Sequence, residues 1–206
     1  MIHKVVLSLV CAFTVFTLQA QRVTTELQDK SWIKINGESN VVDFSFRQDA
    51  EGFIDKTMDI TAVRTGNQVT LSRKVVTIAI KEFDSEDKMA LRDFFKLVKA
   101  DEHPYITVTL AHFDYLGIGF DNLSILRTPF VDIALYVDIR LAGVEKPYII
   151  PVRAARNDGK VEITGSKKID IQDFGLTPPT ALFGMIKVKE WIEIDFQINL
   201  MITEKM

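Results

Sequence analysis

Cysteine is almost absent from this sequence. The single cysteine, Cys11, lies among the first twenty residues, and residues 21–206 contain none. Without further cysteines the chain has no disulfide framework, and it has no thiolate with which to bind a metal or attack a substrate. The fold of residues 21–206 must therefore rest on apolar burial and hydrogen bonding.

Histidine, basic excess and long apolar runs are also scarce. Residues 21–206 hold only His103 and His112, whose spacing matches no metal-binding signature. The formal net charge of -3 gives no basic excess of the kind that nucleic-acid binding requires. We therefore expect no metal, no nucleic-acid partner and no stable membrane span in residues 21–206.

The first twenty residues have the pattern of a secretory signal peptide. Lys4 gives a basic start, residues 5–17 form a short apolar run, and Ala20 is a small residue suited to cleavage. A lipoprotein would use Cys11 instead, but Val10 is large where a small residue is needed. The pattern predicts an exported chain in which residues 1–20 are the signal peptide and residues 21–206 form one domain.

Strict alternation of apolar and polar residues dominates the rest of the chain. Residues 131–141 carry six apolar side chains at every second position, and residues 192–202 do the same. Such spacing is typical of strands with one buried face. We read Asn36-Gly37 as a turn between two strands. Because closure removes exposed sheet edges, long strands joined by short turns favour an all-β, antiparallel barrel of about eight strands.

One segment has helical rather than alternating periodicity. Asp84 or Ser85 can cap a helix that runs to about Ala100, ahead of Pro104. Met89 and Phe94 fall near one apolar face of this helix, which must be buried. We expect a short helix that packs as a lid or plug on one barrel end.

Groups capable of catalysis are few. Asp170 and Asp173 lie close together in the sequence, but the alternation explains them as solvated positions of strands. An enzyme would have to use these carboxylates or a histidine, and no motif assigns them a geometric role. We therefore expect a protein that is not an enzyme.

Aromatic residues exceed what strand propensity requires. A barrel of about eight strands is wide enough to hold one ligand as well as side chains, and an apolar concavity suits a lipid. Burial in a solid core is the ordinary fate of such side chains. A structural or interaction barrel without a ligand is therefore the alternative.

Three motifs resemble YceI-like proteins. They are WIKINGESNVVDF at 32–44, the helix with Phe94-Phe95 leading to PYITV at 104–108, and DFGLTPPTALFGMIKV at 173–188. The last is similar to the form found in Bacteroidetes members. The resemblance implies a lipocalin-like barrel, usually periplasmic, that holds a polyisoprenoid quinone or prenyl phosphate. Many members have histidine where this chain has Glu38, and residues 114–129 also differ from the common pattern.

The sequence thus predicts a periplasmic or secreted carrier of an amphiphilic isoprenoid-type lipid, for transport, storage or sequestration. It predicts no cofactor apart from this bound lipid or quinone, and leaves the oligomeric state open, a homodimer included. The candidate ligand-binding residues are the aromatic and aliphatic side chains Phe44, Phe46, Phe94, Tyr136, Phe174, Leu176, Phe183, Met185 and Ile186.

Overall fold

The computed structural model describes residues 20–116, 130–157, 160–181 and 186–204. Except for Ala20, the predicted signal peptide lies outside these residues. The elements are β1 (Ala20–Leu27), β2 (Trp32–Ser39), β3 (Asp43–Asp49), β4 (Thr57–Thr65), β5 (Gln68–Ala79), α1 (Lys88–Leu97), β6 (Tyr105–Leu116), β7 (Phe130–Leu141), β8 (Val144–Asn157), β9 (Lys160–Asp170), β10 (Thr180–Ala181) and β11 (Ile186–Glu204).

Eight of these strands close into an antiparallel ring. Their order is β1-β4-β5-β6-β7-β8-β9-β11, and β11 pairs back with β1. Consecutive strands from β4 to β9 are all neighbours in the ring, and the connection from β5 to β6 contains α1. The predicted all-β barrel of about eight strands is confirmed, and it has a lipocalin-like architecture.

The long strand β11 joins the two ends of the barrel. On one side it pairs with β9 over Trp191–Met201. On the other side it pairs first with β2, through Val188–Gln197, and then with β1, through Leu200–Glu204. The hairpin β2–β3 therefore closes one end of the barrel, and the pair β1–β4 closes the other.

The predicted turn at Asn36-Gly37 is wrong, because β2 runs through both residues. Gly37 faces the Phe44 ring across the β2–β3 pair. A β-carbon on Gly37 would lie 2.3 Å from ring atoms of Phe44. The glycine is thus required by the close approach of an aromatic ring, and not by a turn.

The helix α1 is shorter than the sequence predicts. Its cap is Asp87, whose carboxylate accepts hydrogen bonds from the backbone N–H groups of Met89 and Ala90, both at 2.9 Å. Such a cap stabilises a helix by about 1 kcal/mol. The helix ends at Leu97, and Lys99 then adopts a left-handed conformation with φ of 54°. Phe94 and Val98 are buried, which places the apolar face of α1 against the barrel.

The core consists of the inward faces of the strands. On β7 these are Ile133, Val137, Ile139 and Leu141, all buried, in the alternation that the sequence predicts. Burying each such side chain contributes about 1.5–3 kcal/mol. These side chains do not fill the interior of the barrel evenly.

Candidate functional site

Among the described residues, two cavities lie inside the barrel. The smaller, of about 250 Å³, lies beneath α1 and is bordered by β2, β3 and the segment 169–179. The larger, of about 730 Å³, lies towards the end that β1 and β4 close. Ligand pockets for small molecules are commonly about 300–1,000 Å³ and mostly apolar. The larger cavity falls within that range.

An aromatic cluster forms one wall of the smaller cavity. Alternation on β3 points Phe44 and Phe46 inward, and α1 brings Phe94 onto them. The rings of Phe46 and Phe94 are stacked, with centroids 4.5 Å apart, and Phe44 lies 5.4 Å from Phe46. The structure therefore brings together three candidate residues that are separate in sequence.

A short 3₁₀ helix, Ile171–Phe174, places two more candidates in the same wall. The Asp170 carboxylate caps it by accepting a hydrogen bond of 2.8 Å from the Gln172 backbone N–H. Gly175 ends it in the left-handed conformation, with φ of 69°. Phe174 and Leu176 are both buried and line the smaller cavity.

The tyrosine beside this turn fixes its orientation. The Tyr148 ring stacks on Phe174 at 6.1 Å, and its hydroxyl donates a 2.8 Å hydrogen bond to Asp173. Partial burial, this hydrogen bond and the nearby negative charges raise the pKa of Tyr148 above its usual value. Asp170 and Asp173, the carboxylates considered for catalysis, thus take part in structural contacts.

The remaining candidates lie elsewhere. Tyr136 borders neither cavity: it lies on the opposite face of β7 from Leu135 and stacks on His112 at 4.1 Å. Phe183 and Met185 fall outside the described residues. Ile186 begins β11, and its side chain is not described. A ligand-binding role for these nine residues stays a prediction.

The position of the larger cavity was not predicted from the sequence. Its apolar lining comes partly from β1 and β4, two strands that our reading did not identify. Short alternations, with Val23 and Leu27 on one and Met58 and Ile60 on the other, are the signal that could have found them. Further lining residues are Val69, Leu110, Phe113, Ile133, Leu135, Phe196, Ile198 and Leu200.

Polar or charged side chains border each cavity beside the apolar ones. Gln21, Arg64, Arg156 and Glu204 border the larger one, and the Arg64 guanidinium lies 5.3 Å from the centre of the Tyr115 ring. Burial raises the pKa of Tyr115, and the positive charge of Arg64 opposes that shift.

Lys189 is part of the rim of the smaller cavity, and it forms an ion pair with Glu38. A hydrogen bond and the positive charge of this lysine lower the pKa of Glu38. Val42 and Met89 also border this cavity and are 59% and 66% exposed. Glu38 thus takes part in an ion pair at the cavity rim.

Within the described ranges, no cluster of three or more histidine, aspartate or glutamate side chains could hold a metal ion. No helix in the same part of the chain is long and apolar enough to cross a bilayer.

The chain is similar to a known protein family. The model of the YceI-like domain family matches residues 16–200. No curated protein matches the chain in sequence. The match spans every described strand except the last residues of β11, so it applies to the whole barrel.

Two solved structures share the fold. One is BcnA of Burkholderia cenocepacia, with a TM-score of 0.56 and 14% identity over 82% of this chain and 96% of that one. The other is a polyisoprenoid binding domain from Saccharophagus degradans implicated in plant cell wall breakdown. It has a TM-score of 0.53 and 11% identity over 86% of this chain and 97% of that one. At such identities the likeness concerns the fold alone.

Proposed function

The chain belongs to the YceI-like domain family, and we propose that it is an exported protein that holds an isoprenoid-type lipid inside its barrel. The observation that carries the proposal is the larger cavity, of about 730 Å³ and mostly apolar lining. The polyisoprenoid binding domain from Saccharophagus degradans, which shares the fold, supports the ligand class. A polyisoprenoid quinone and a prenyl phosphate are the two candidate ligands.

Burial alone can supply the affinity. Each Å² of apolar surface removed from water contributes about 25 cal/mol. A flexible hydrocarbon chain gains this without any reacting group, so the proposed role is transport, storage or sequestration, and not catalysis. The alternative of a solid barrel that serves as a structural module is not favoured, because the cavities leave the interior incompletely filled.

The smaller cavity extends the proposed site towards α1. Phe44, Phe46, Phe94, Phe174 and Leu176 line it, and we propose that they contact one end of the ligand. Their aromatic and aliphatic surfaces match an isoprenoid chain. Val42 and Met89 at the rim would then be among the first side chains met by a lipid that enters from this side.

Export completes the proposal. We propose that residues 1–20 are removed near Ala20 and that the remaining domain acts in the periplasm or outside the cell. We also propose that the chain is a Bacteroidetes-type member of the family, because residues 173–188 resemble the form found in Bacteroidetes members.

Native mass spectrometry of the full-length protein, expressed with its leader and purified without detergent, tests the ligand. We expect a protein species with one additional mass, which solvent extraction identifies as an isoprenoid lipid. The same spectrum reports whether the leader is cleaved. A barrel that carries no lipid and takes up none from added isoprenoid quinone or prenyl phosphate would contradict the proposal.

A further inference from the structure

Two arginines border the larger cavity at one end of the barrel. Arg64 is the last inward residue of β4, and Arg156 is the last inward residue of β8. These two strands run in the same direction, because four antiparallel steps separate them in the ring. Both arginines therefore lie at the same end. The helix α1 lies at the other end, because it follows β5, which runs in the opposite direction to β4.

The two arginines also lie on opposite sides of the barrel. In the ring of eight strands, β4 and β8 are separated by three strands on either side. The strand β6 lies midway between them, and its Tyr115 borders the same cavity. The interior of an eight-stranded barrel is narrow enough for side chains from its walls to fill it. The long side chains of Arg64 and Arg156 therefore extend from opposite walls towards the same part of the cavity entrance.

The contacts of the two arginines differ. Nε of Arg64 donates a hydrogen bond of 3.0 Å to the Gly66 carbonyl, and the guanidinium lies 5.3 Å from the centre of the Tyr115 ring. The first of these contacts uses one of the five N–H donors of the group. Arg156 is exposed, and among the described residues its side chain forms no hydrogen bond or ion pair. Arg64 is thus positioned by its surroundings, and Arg156 can turn towards a ligand.

The other charged residues around the larger cavity leave this end positive. Asp55 and Lys56 border the cavity just before β4, at the other end of that strand. Glu204, in β11, is the carboxylate at the arginine end among the described lining residues, and its Oε1 accepts a hydrogen bond of 2.9 Å from Gln21 Nε2. Two guanidinium groups and one carboxylate therefore border this end of an otherwise mostly apolar cavity.

We infer that Arg64 and Arg156 bind the anionic phosphate head group of the lipid, and that its isoprenoid chain extends from them into the apolar part of the larger cavity. This inference rests on the proposed function and selects the prenyl phosphate over the quinone. Guanidinium groups form paired, charge-assisted hydrogen bonds with phosphate oxygens, whereas a neutral quinone has no charge to balance them. Because Arg156 is exposed, the phosphate stays in contact with water and avoids the cost of a fully buried charge.

Competition binding with two ligands of the same chain length tests the inference. The probes are geranylgeranyl phosphate and geranylgeraniol, each displacing a fluorescent isoprenoid from the purified protein. Arg156→Gln removes one positive charge and, within the described part of the chain, breaks no side-chain hydrogen bond or ion pair. We expect this variant to bind geranylgeranyl phosphate about tenfold more weakly and geranylgeraniol within about twofold of wild type. Arg64→Gln should act in the same direction.

Arg153→Gln is the matched control. It removes the same charge from the same strand, but Arg153 lies on the outer face of β8, where it forms an ion pair with Asp132. It should leave the binding of both probes within about twofold of wild type. The inference would be overturned by equal effects of Arg156→Gln on both probes, by no effect on the phosphate, or by an equal effect of Arg153→Gln. Failure of the wild type to bind either probe or any other isoprenoid would overturn the proposed function itself.

A measurement on the wild type keeps the inference testable if an arginine variant does not fold. Raising the NaCl concentration from about 0.05 M to about 0.5 M shortens the range over which charges interact. Geranylgeranyl phosphate should then bind severalfold more weakly, and geranylgeraniol should not. Equal salt dependence of the two probes, or tighter binding of geranylgeraniol than of the phosphate at low salt, would contradict a phosphate site at the arginines.

Discussion

The ring of Phe94 in α1 stacks on the ring of Phe46 in β3, with centroids 4.5 Å apart and planes inclined by 17°. This contact joins the helix to the barrel wall, and Phe83 meets the same ring edge-on at 5.8 Å. The predicted lid or plug is therefore held by an aromatic cluster that also lines the smaller cavity.

Phe94→Ala should lower the free energy of unfolding by about 3–5 kcal/mol, because it removes a buried aromatic ring and leaves a hole beneath the helix. Urea denaturation followed by circular dichroism measures it. Met89→Ala on the same helix is the control, since Met89 is 66% exposed, and should change stability by less than about 0.5 kcal/mol. Similar effects of the two substitutions would show that α1 does not depend on the Phe94 contact.

Gly37 and Phe44 should be coupled. A methyl group on Gly37 would lie 2.3 Å from the Phe44 ring, so Gly37→Ala must displace that ring, at a cost of about 1–3 kcal/mol. In a Phe44→Ala background the same substitution should cost much less. A double-mutant cycle of unfolding free energies measures the coupling. A coupling near zero would mean that the ring does not constrain position 37.

Filling the larger cavity should displace lipid without unfolding the barrel. Ala62 lines this cavity, whereas Ala134 lies between Ile133 and Leu135 on β7, on the outer face. Ala62→Trp should therefore reduce the bound lipid severalfold, and Ala134→Trp should leave it unchanged. Native mass spectrometry gives the occupancy, and thermal unfolding checks that both variants fold. Equal occupancy in the two variants would place the lipid elsewhere.

Tyr148 should make the protein less stable at alkaline pH. Its pKa is raised in the folded state, so the folded protein keeps the phenol proton at a pH where the unfolded chain has lost it. The stabilisation is complete below the unfolded pKa of about 10 and is lost as pH rises above it. Tyr148→Phe should flatten this decline, and Tyr105→Phe, at an exposed position, should not. Unfolding free energies between pH 8 and 11 decide between these outcomes.

The alternation of apolar and polar residues predicted the barrel because successive side chains of a strand point to opposite faces of the sheet. In long strands such as β7 and β11, the apolar residues therefore mark the buried face. It failed for β1 and β4, where threonine and charged residues dilute the apolar rows. The helix cap was placed two or three residues early, because Asp84, Ser85 and Asp87 all suit a cap and only the backbone selects one.

The site was only partly predictable for a related reason. Phe44, Phe46, Phe94, Phe174 and Leu176 meet in one wall, but Tyr136 was chosen for its aromatic ring although the parity of β7 assigns it to the outer face. The position of the larger cavity could not be predicted from the sequence, because it depends on which inward side chains from distant strands leave space.

The measurement that bears most directly on the central claim is a crystal structure of the protein purified with its co-purifying lipid. The account predicts continuous, elongated electron density of an isoprenoid chain in the larger cavity. An interior that contains only ordered water, or whose side chains fill both cavities, would contradict it.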